Sequence, residues 1–372
     1  MLQGGGALGA YQAGVYEALD EAGILPDWIG GISIGALNGL ILAGNPPEKR
    51  VAKLREFWTT ITSGGDLPGF GNLAIPSLPG PWDFGDQSRT FTNIMNASLV
   101  AMRGATGFFR PRPLSPWLAP PGSMEASSYY DTTELKATLE RLVDFDRVNS
   151  GETRLSVGAV NVRSGNFVYF DTTTHHIRAE HAMASGALPP GFPAVEVDGE
   201  YYWDGGLVSN TPLMWVMDAV PQRDTLTFQV DLWNARGEFP RSMGEVLTRA
   251  KEIQFSSRTR ANSDRVKVAQ MARHAIAALH DAVPEEIRRM PEFAPVAALA
   301  ESKAYGIVQL IYRAHDYEGD SKDYEFSPQS MEEHWKAGYN DTVRTLRHPE
   351  ALARPEGSMP VKTFDIHSDG NE

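Results

Sequence analysis

The run Gly31-Ile32-Ser33-Ile34-Gly35 lies between Trp28-Ile29 and Ala36-Leu37 and reads G-x-S-x-G. An apolar strand gives way here to an apolar helix, with a serine at the turn between them. Glycine at positions 31 and 35 leaves room for the backbone to close tightly around Ser33. The turn projects the Ser33 hydroxyl outward, and the following helix aims its first amides at any negative charge forming there. Asn38, Gly39 and Leu40-Ile41-Leu42-Ala43 continue as a short buried helix. A single G-x-S-x-G also arises by chance, so its neighbours decide how it is read.

Upstream, Gln3-Gly4-Gly5-Gly6-Ala7-Leu8-Gly9-Ala10 follows the stub of a strand. Leu8, Val15, Leu19 and Ile24 then recur at helical spacing, Glu17, Asp20 and Glu21 mark a wet face, and Gly23 stops the helix. Strand, glycine loop, helix and second strand make a β-α-β unit, which predicts a parallel sheet. Gly4, Gly6 and Gly9 also satisfy the dinucleotide fingerprint G-x-G-x-x-G. That chemistry needs an acidic residue closing the second strand, whereas this strand closes on Gly31-Ile32-Ser33 and Asp27 stands at its other end. The alternative is a ring of backbone amides facing the serine, since bare glycines let two or three N–H groups converge on one oxygen. A plain tight turn into a helix remains the simplest use of these glycines.

Downstream, residues 48–61 read as an amphipathic helix. Residues 63–125 then hold nine prolines among Phe70, Trp82, Phe84, Phe91, Phe108, Phe109 and Trp117. An irregular stretch of that length covers or gates a site, or packs on the body by its aromatics. A helix opens at Asp131-Thr132-Thr133-Glu134, strands follow at 155–160 and 166–170, and a helix at 180–187 ends in Leu188-Pro189-Pro190-Gly191. Glu200-Tyr201-Tyr202-Trp203 then delivers Asp204 onto the tight turn of Gly205 and Gly206, an acid with open space beside it. Residues 226–232 and 305–312 read as buried strands, the second as the last central one. A long helix is predicted from about 242 to 282, with a basic stripe that includes Arg249, Lys251, Arg258, Arg260 and Arg265. Another helix spans 330–346, and a loose polar tail starts near Arg354. The expected organisation is a catalytic domain at 1–235, with 63–125 as a lid-like insertion, and a helical extension at 236–372 packed on the same domain.

The 372 residues carry a formal charge of −13, which disfavours nucleic acid as a partner and broad adhesion to anionic lipid. There is no cysteine, so disulfides, thiolate nucleophiles and cysteine metal sites are excluded. No histidine pair has metal-ligand spacing with supporting acids, and no metal or cofactor is expected. The start lacks the pattern of a signal peptide, and a cytoplasmic location, with transient contact at membrane surfaces left open, is the expectation.

Gly-Gly-Gly-x-x-Gly at the start, G-x-S-x-G soon after and Asp-Gly-Gly much later resemble, in order and placement, the patatin-like phospholipases. Ala184-Ser185-Gly186-Ala187 with its proline-rich turn belongs to the same likeness, which runs from Gln3 to about Pro212. The resemblance implies a three-layer α/β/α hydrolase with a mainly parallel sheet and a Ser–Asp dyad. In it Ser33 would be the nucleophile, Asp204 the base, and Gly4, Gly5 and Gly6 the oxyanion donors. The substrate would be a lipid or other acyl ester, cleaved through an acyl-enzyme. Two alternatives stand beside it. One is a catalytically silent lipid- or protein-binding module on the same fold. The other is a Ser-His-Asp esterase, because His274, His280 and His315 follow Asp204 in the chain. The acyl-carrier transacylases share the topology but usually carry histidine just before the serine, where Ile32 stands here.

Overall fold

The computed structural model describes residues 1–64, 85–217, 223–256, 259–300, 303–315, 317–355 and 361–366. Pro68, Phe70, Trp82, Phe84 and the rest of 65–84, Arg258, the Arg260 side chain and His367 lie outside the described residues. Among the described residues there are ten strands: β1 (Trp28–Ile32), β2 (Arg110–Pro111), β3 (Tyr130–Asp131), β4 (Arg154–Asn161), β5 (Phe167–Asp171), β6 (Val195–Val197), β7 (Glu200–Asp204), β8 (Thr225–Asp231), β9 (Tyr305–Ile311) and β10 (Val361–Phe364). The main sheet runs β5, β4, β1, the Leu2 stub, β8, β9, β10. Leu2 forms parallel bridges to Gly31 on one side and Val230 on the other. From β4 to β10 every pairing across this sheet is parallel, and β5 closes one edge in antiparallel fashion.

The pairing at β4 decides where the site falls. Gly158 has Ile32 on one side and Tyr169 on the other; the next residue, Ala159, has Asp204 and Val168. With β5 along one edge of β4, the other edge is shared. β1 covers its first part and β7, running antiparallel, covers its last part. The two strands meet end to end at Gly158–Ala159, and each stops there in a turn: β1 at Ser33, β7 at Asp204.

Helices cover both faces, which completes three layers. On one face α1 (Ala10–Glu21), α2 (Ile34–Ala43) and α3 (Pro47–Thr62) pack with the 328–346 helix around Tyr11, Leu37, Phe57, Trp58 and Trp335. The smaller core on the opposite face joins Leu213, Met217 and Val266 to Tyr305 and Ile307 of β9. α2 is buried along its whole length, as its unbroken apolar sequence requires.

The C-terminal third departs from the sequence expectation in two places. The helix predicted over 242–282 is two helices, Met243–Phe255 and Thr259–Ala282. The tail after Arg354 returns as β10, which pairs with β9, so residues 305–312 are not the last strand. Only four residues long and flanked by proline, β10 lacks the length that makes a strand legible. The predicted basic stripe is partly neutralised: Arg249 pairs with Glu252 at 3.0 Å and Lys251 with Asp323 at 2.8 Å.

α1 and the 328–346 helix approach so closely that a Cβ on Gly338 would lie 2.0 Å from the Tyr11 carbonyl oxygen, and one on Gly14 1.8 Å from that of Trp335. Backbone cannot yield as a side chain does. Gly338→Ala is therefore expected to lower unfolding free energy by about 1–3 kcal/mol or more, read by urea denaturation; an unchanged midpoint contradicts this packing.

Candidate active site

Ser33 sits at φ 55°, ψ −126°, a left-handed conformation that a non-glycine residue adopts only at a cost of about 1–3 kcal/mol. Its flanking glycines are fixed by crowding. A Cβ on Gly31 would lie 2.3 Å from the Gly35 carbonyl oxygen, and one on Gly35 would lie 2.3 Å from that of Leu2. The turn is also held from outside: the Ser33 N–H donates to Ser185 Oγ at 2.8 Å, and that buried hydroxyl donates to the Gly158 carbonyl at 2.6 Å. α2 begins at Ile34, so the first amides of a fully buried helix open beside the hydroxyl.

Asp204 ends β7 with 2 % of its surface exposed. Its Oδ1 accepts the Gly206 N–H at 2.7 Å, which closes the Gly205–Gly206 turn, and the Ser33 side chain lies near enough to the same carboxyl to lower its proton affinity. Burial pushes the Asp204 carboxyl up to about 7, against the downward pull of the Ser33 side chain and the Gly206 N–H. Gly205 lies where a Cβ would stand 2.7 Å from the Gly158 carbonyl, so the acid turn too is pressed against the middle of β4.

The glycine loop runs directly beside the serine. A Cβ on Gly4 would come within 2.9 Å of Ser33 Cβ and 2.3 Å of Asn210 Oδ1. Gly6 has φ 55°, and a Cβ there would lie 2.0 Å from the Asp323 carbonyl oxygen, which accepts the Ala7 N–H at 2.8 Å. The Gly4 N–H donates to Asn210 Oδ1 at 3.1 Å. Among the described residues the amides of Gly5 and Gly6 have no such acceptor, so these two are the ones open to a bound oxygen.

Ser33, Asp204 and all three glycines line one cavity of about 500 Å³. Its other walls are mostly apolar, formed by Leu37, Val100, Leu188 and a cluster of rings, with Asn210 and Asp323 as polar members. Phe108 and Phe109 from the 63–125 stretch pack on Phe192 (5.7 and 5.2 Å) and on Phe326 (5.8 and 6.1 Å). The described part of that stretch is therefore divided: Phe108 and Phe109 are buried, whereas Trp117 is 85 % exposed. Among the described residues no histidine lines the cavity. His334 is bound to Glu318 at 3.1 Å, and the His181 ring accepts the Arg178 N–H at 2.9 Å.

Three residues here escaped the sequence reading as parts of the site. Ser185 was visible only inside a shared segment, with no sign of its bond to Ser33. Asn210 and Trp233 carry no motif, and each acts through a contact more than 200 residues away in the chain. A hydroxyl against a carboxyl of near-neutral affinity for protons, two open amides and an apolar chamber form the parts list of nucleophilic acyl transfer.

The family model for patatin-like phospholipases matches residues 1–216, and a second one, described as patatin phospholipase, matches residues 253–358. A putative patatin-like phospholipase domain-containing protein of Caenorhabditis elegans is 45% identical over 56 residues, covering 15% of this chain and 5% of that protein. Lysophospholipase nte1 of Aspergillus terreus is 60% identical over 43 residues, 12% of this chain and 3% of that one. The chain thus aligns with only a small fraction of either relative's length. Among solved structures, VipD from Legionella pneumophila aligns over 93% of this chain and 66% of its own, at 15% identity and a TM-score of 0.39.

Ser185→Ala removes the acceptor of a strained residue's N–H. It is expected to lower stability by about 1–3 kcal/mol, measured by thermal and urea unfolding, and to slow labelling of Ser33 by a fluorophosphonate. A fully stable variant labelled at the wild-type rate would show that the turn holds itself.

Proposed function

From a chain that belongs to the patatin-like phospholipase family, we propose a serine acyl hydrolase that cleaves lipid acyl esters through an acyl-enzyme on Ser33. The single observation that carries this reading is that Ser33, Asp204 and the two open amides line one largely apolar cavity, with Ser33 near enough to lower the proton affinity of the Asp204 carboxyl. Family membership supports lipid hydrolysis in the broad sense; the steps and their residues are the proposal.

In the first step Asp204 takes the Ser33 proton as Ser33 Oγ bonds to the ester carbonyl carbon. The carbonyl π pair moves onto oxygen, which the Gly5 and Gly6 N–H groups receive. Collapse breaks the bond to the leaving alcohol, which takes the proton from Asp204. Water then repeats the sequence on the acyl-enzyme and releases a carboxylic acid, with Ser33 restored. A free aspartate is too weak a base for a hydroxyl. An aspartate raised to about 7 by burial narrows that mismatch while remaining ionised in the alkaline half of the physiological range. The acyl chain would lie against Phe108, Phe109, Phe192 and Phe326, and every methylene buried there favours binding by about 0.8 kcal/mol.

Two variants test the assignment. Ser33→Ala is expected to abolish both esterase activity and the fluorophosphonate adduct; full activity in this variant would overturn the nucleophile. An unlabelled, inactive wild-type protein that still bound lipid would favour the silent binding module. A screen across phospholipids, glycerides and short nitrophenyl esters would identify the substrate.

Asp204→Asn is expected to lose activity by several orders of magnitude while remaining folded. Wild-type kcat/KM should rise with pH through a midpoint near 7, because only the ionised carboxyl accepts the proton. The stability effect runs the opposite way. The folded state holds a proton that the unfolded chain releases near 3.8, so the contribution of this group is full below 3.8 and is lost as pH rises through about 7. At pH 8 the Asn variant should therefore melt higher than wild type, and the difference should shrink on acidification. A variant that melts lower at pH 8 would show that Asp204 is not held against its ionisation.

A further inference from the structure

The glycine loop presents its amides only if two peptide planes keep their orientation, and glycine gives them almost no intrinsic reason to do so. The Gly4 carbonyl accepts two side-chain hydrogen bonds, from Asn210 Nδ2 at 2.9 Å and from Trp233 Nε1 at 2.9 Å. That carbonyl and the Gly5 N–H belong to the same peptide unit. The unit is trans, so its N–H and C=O point in opposite directions. Fixing the oxygen with two donors therefore fixes the hydrogen on the other side.

Asn210 is itself unable to turn. Its Oδ1 accepts the Gly4 N–H at 3.1 Å, and its second Nδ2 hydrogen goes to the Phe255 carbonyl at 2.8 Å, so both amide hydrogens and the oxygen are engaged. It is 4 % exposed. Trp233 is 3 % exposed, and its ring packs on Phe255 with centroids 5.5 Å apart. Its backbone N–H and that of Leu232 both donate to Gln3 Oε1, at 3.0 and 2.6 Å, so the strand exit carrying the indole is tied to the residue preceding the loop. The next plane is held locally: the Gly5 carbonyl accepts the Leu8 N–H at 3.2 Å, which sets the Gly6 N–H.

We propose that Asn210 and Trp233 are positioning residues, a two-donor clamp on the Gly4 carbonyl that keeps the Gly5 N–H facing the cavity and prevents this peptide from flipping. The inference rests on the oxyanion role assigned to Gly5 above. Without the clamp, the flipped peptide would turn a carbonyl toward the developing oxyanion, replacing attraction with repulsion. Both side chains line the cavity, and their hydrogen bonds to the loop go to Gly4, so each acts through the Gly4–Gly5 peptide.

The test compares Trp233→Phe, Asn210→Leu and the double variant with wild type on a soluble nitrophenyl ester. Trp233→Phe removes one donor and keeps the ring on Phe255, so it reports even where Asn210→Leu fails to fold. In the double variant, or in Trp233→Phe to a lesser degree, kcat should fall toward the roughly 10²–10³-fold loss typical of a missing oxyanion donor, with KM near the wild-type value. Affinity for an alkyl trifluoromethyl ketone, which adds to the serine as a tetrahedral oxyanion, should fall in parallel, whereas the pH midpoint near 7 set by Asp204 should stay. Wild-type kcat and ketone affinity in Trp233→Phe, with Ser33→Ala inactive, would overturn the clamp and leave the serine mechanism standing. A displaced pH midpoint would also overturn it, because the effect would then pass through the carboxyl. Activity surviving in Ser33→Ala would instead remove the reading on which the clamp depends.

Discussion

One edge of β4 receives two strands from opposite directions, and the site exists because they stop at adjoining residues. β1 ends against Gly158 and β7 against Ala159. Each chain must turn away from the other, and the residues at the turns are Ser33 and Asp204. Their closeness is therefore a property of backbone pairing before it is one of side chains. A one-residue slip in either ladder would carry the serine or the acid to the wrong side of the sheet. The bare Cα of Gly158 makes the crowding tolerable: a Cβ there would lie 2.3 Å from Ile32 Cδ1.

The strain at Ser33 is confined by the same arrangement. Its left-handed φ brings Gly31 and Gly35 into near contact, and Gly35 in turn lies under the Leu2 strand. Ser185 links the turn to β4 itself through the Gly158 carbonyl. A second polar chain secures the other side of the loop. Asn38 bonds to Gln12 Oε1 at 2.9 Å, and Gln12 bonds to the Gln3 carbonyl at 2.6 Å, so α1, α2 and the glycine loop cannot shift separately. Both side chains are buried, and a buried amide left unpaired is costly, which makes such a network effective at specifying one arrangement.

The N-terminal half was legible because its signals are local. A strand, a glycine loop, a helix and a serine turn follow one another within about 40 residues, and hydrophobic periodicity with glycine placement is enough to read them. Asp204 was legible through the two glycines after it. The parallel sheet followed from the first β-α-β unit, but the sharing of the β4 edge did not, since no local pattern records which strands meet end to end. The C-terminal third was read less well for the same reason. β10 is four residues long and is made a strand only by pairing with β9, and the 242–282 periodicity runs across the break between two helices. Asn210 and Trp233 are ordinary residues by type; their roles arise from partners brought together by the fold.

The division of labour within the site follows from what each group is able to do. A histidine base would reach neutrality unaided; an aspartate reaches it only by being dried out, and Asp204 is buried with the Gly206 N–H and the Ser33 side chain moderating the effect. A cation placed close enough to stabilise the oxyanion would also stabilise the aspartate as a carboxylate and draw its proton affinity back down. Backbone amides avoid that conflict. They offer directed partial charge to an oxygen a few ångströms away and exert little long-range field on the carboxyl. In the proposed mechanism, a buried acid as base and a loop of bare glycines as oxyanion donor are thus two consequences of one requirement, that no cation stand beside the Asp204 carboxyl.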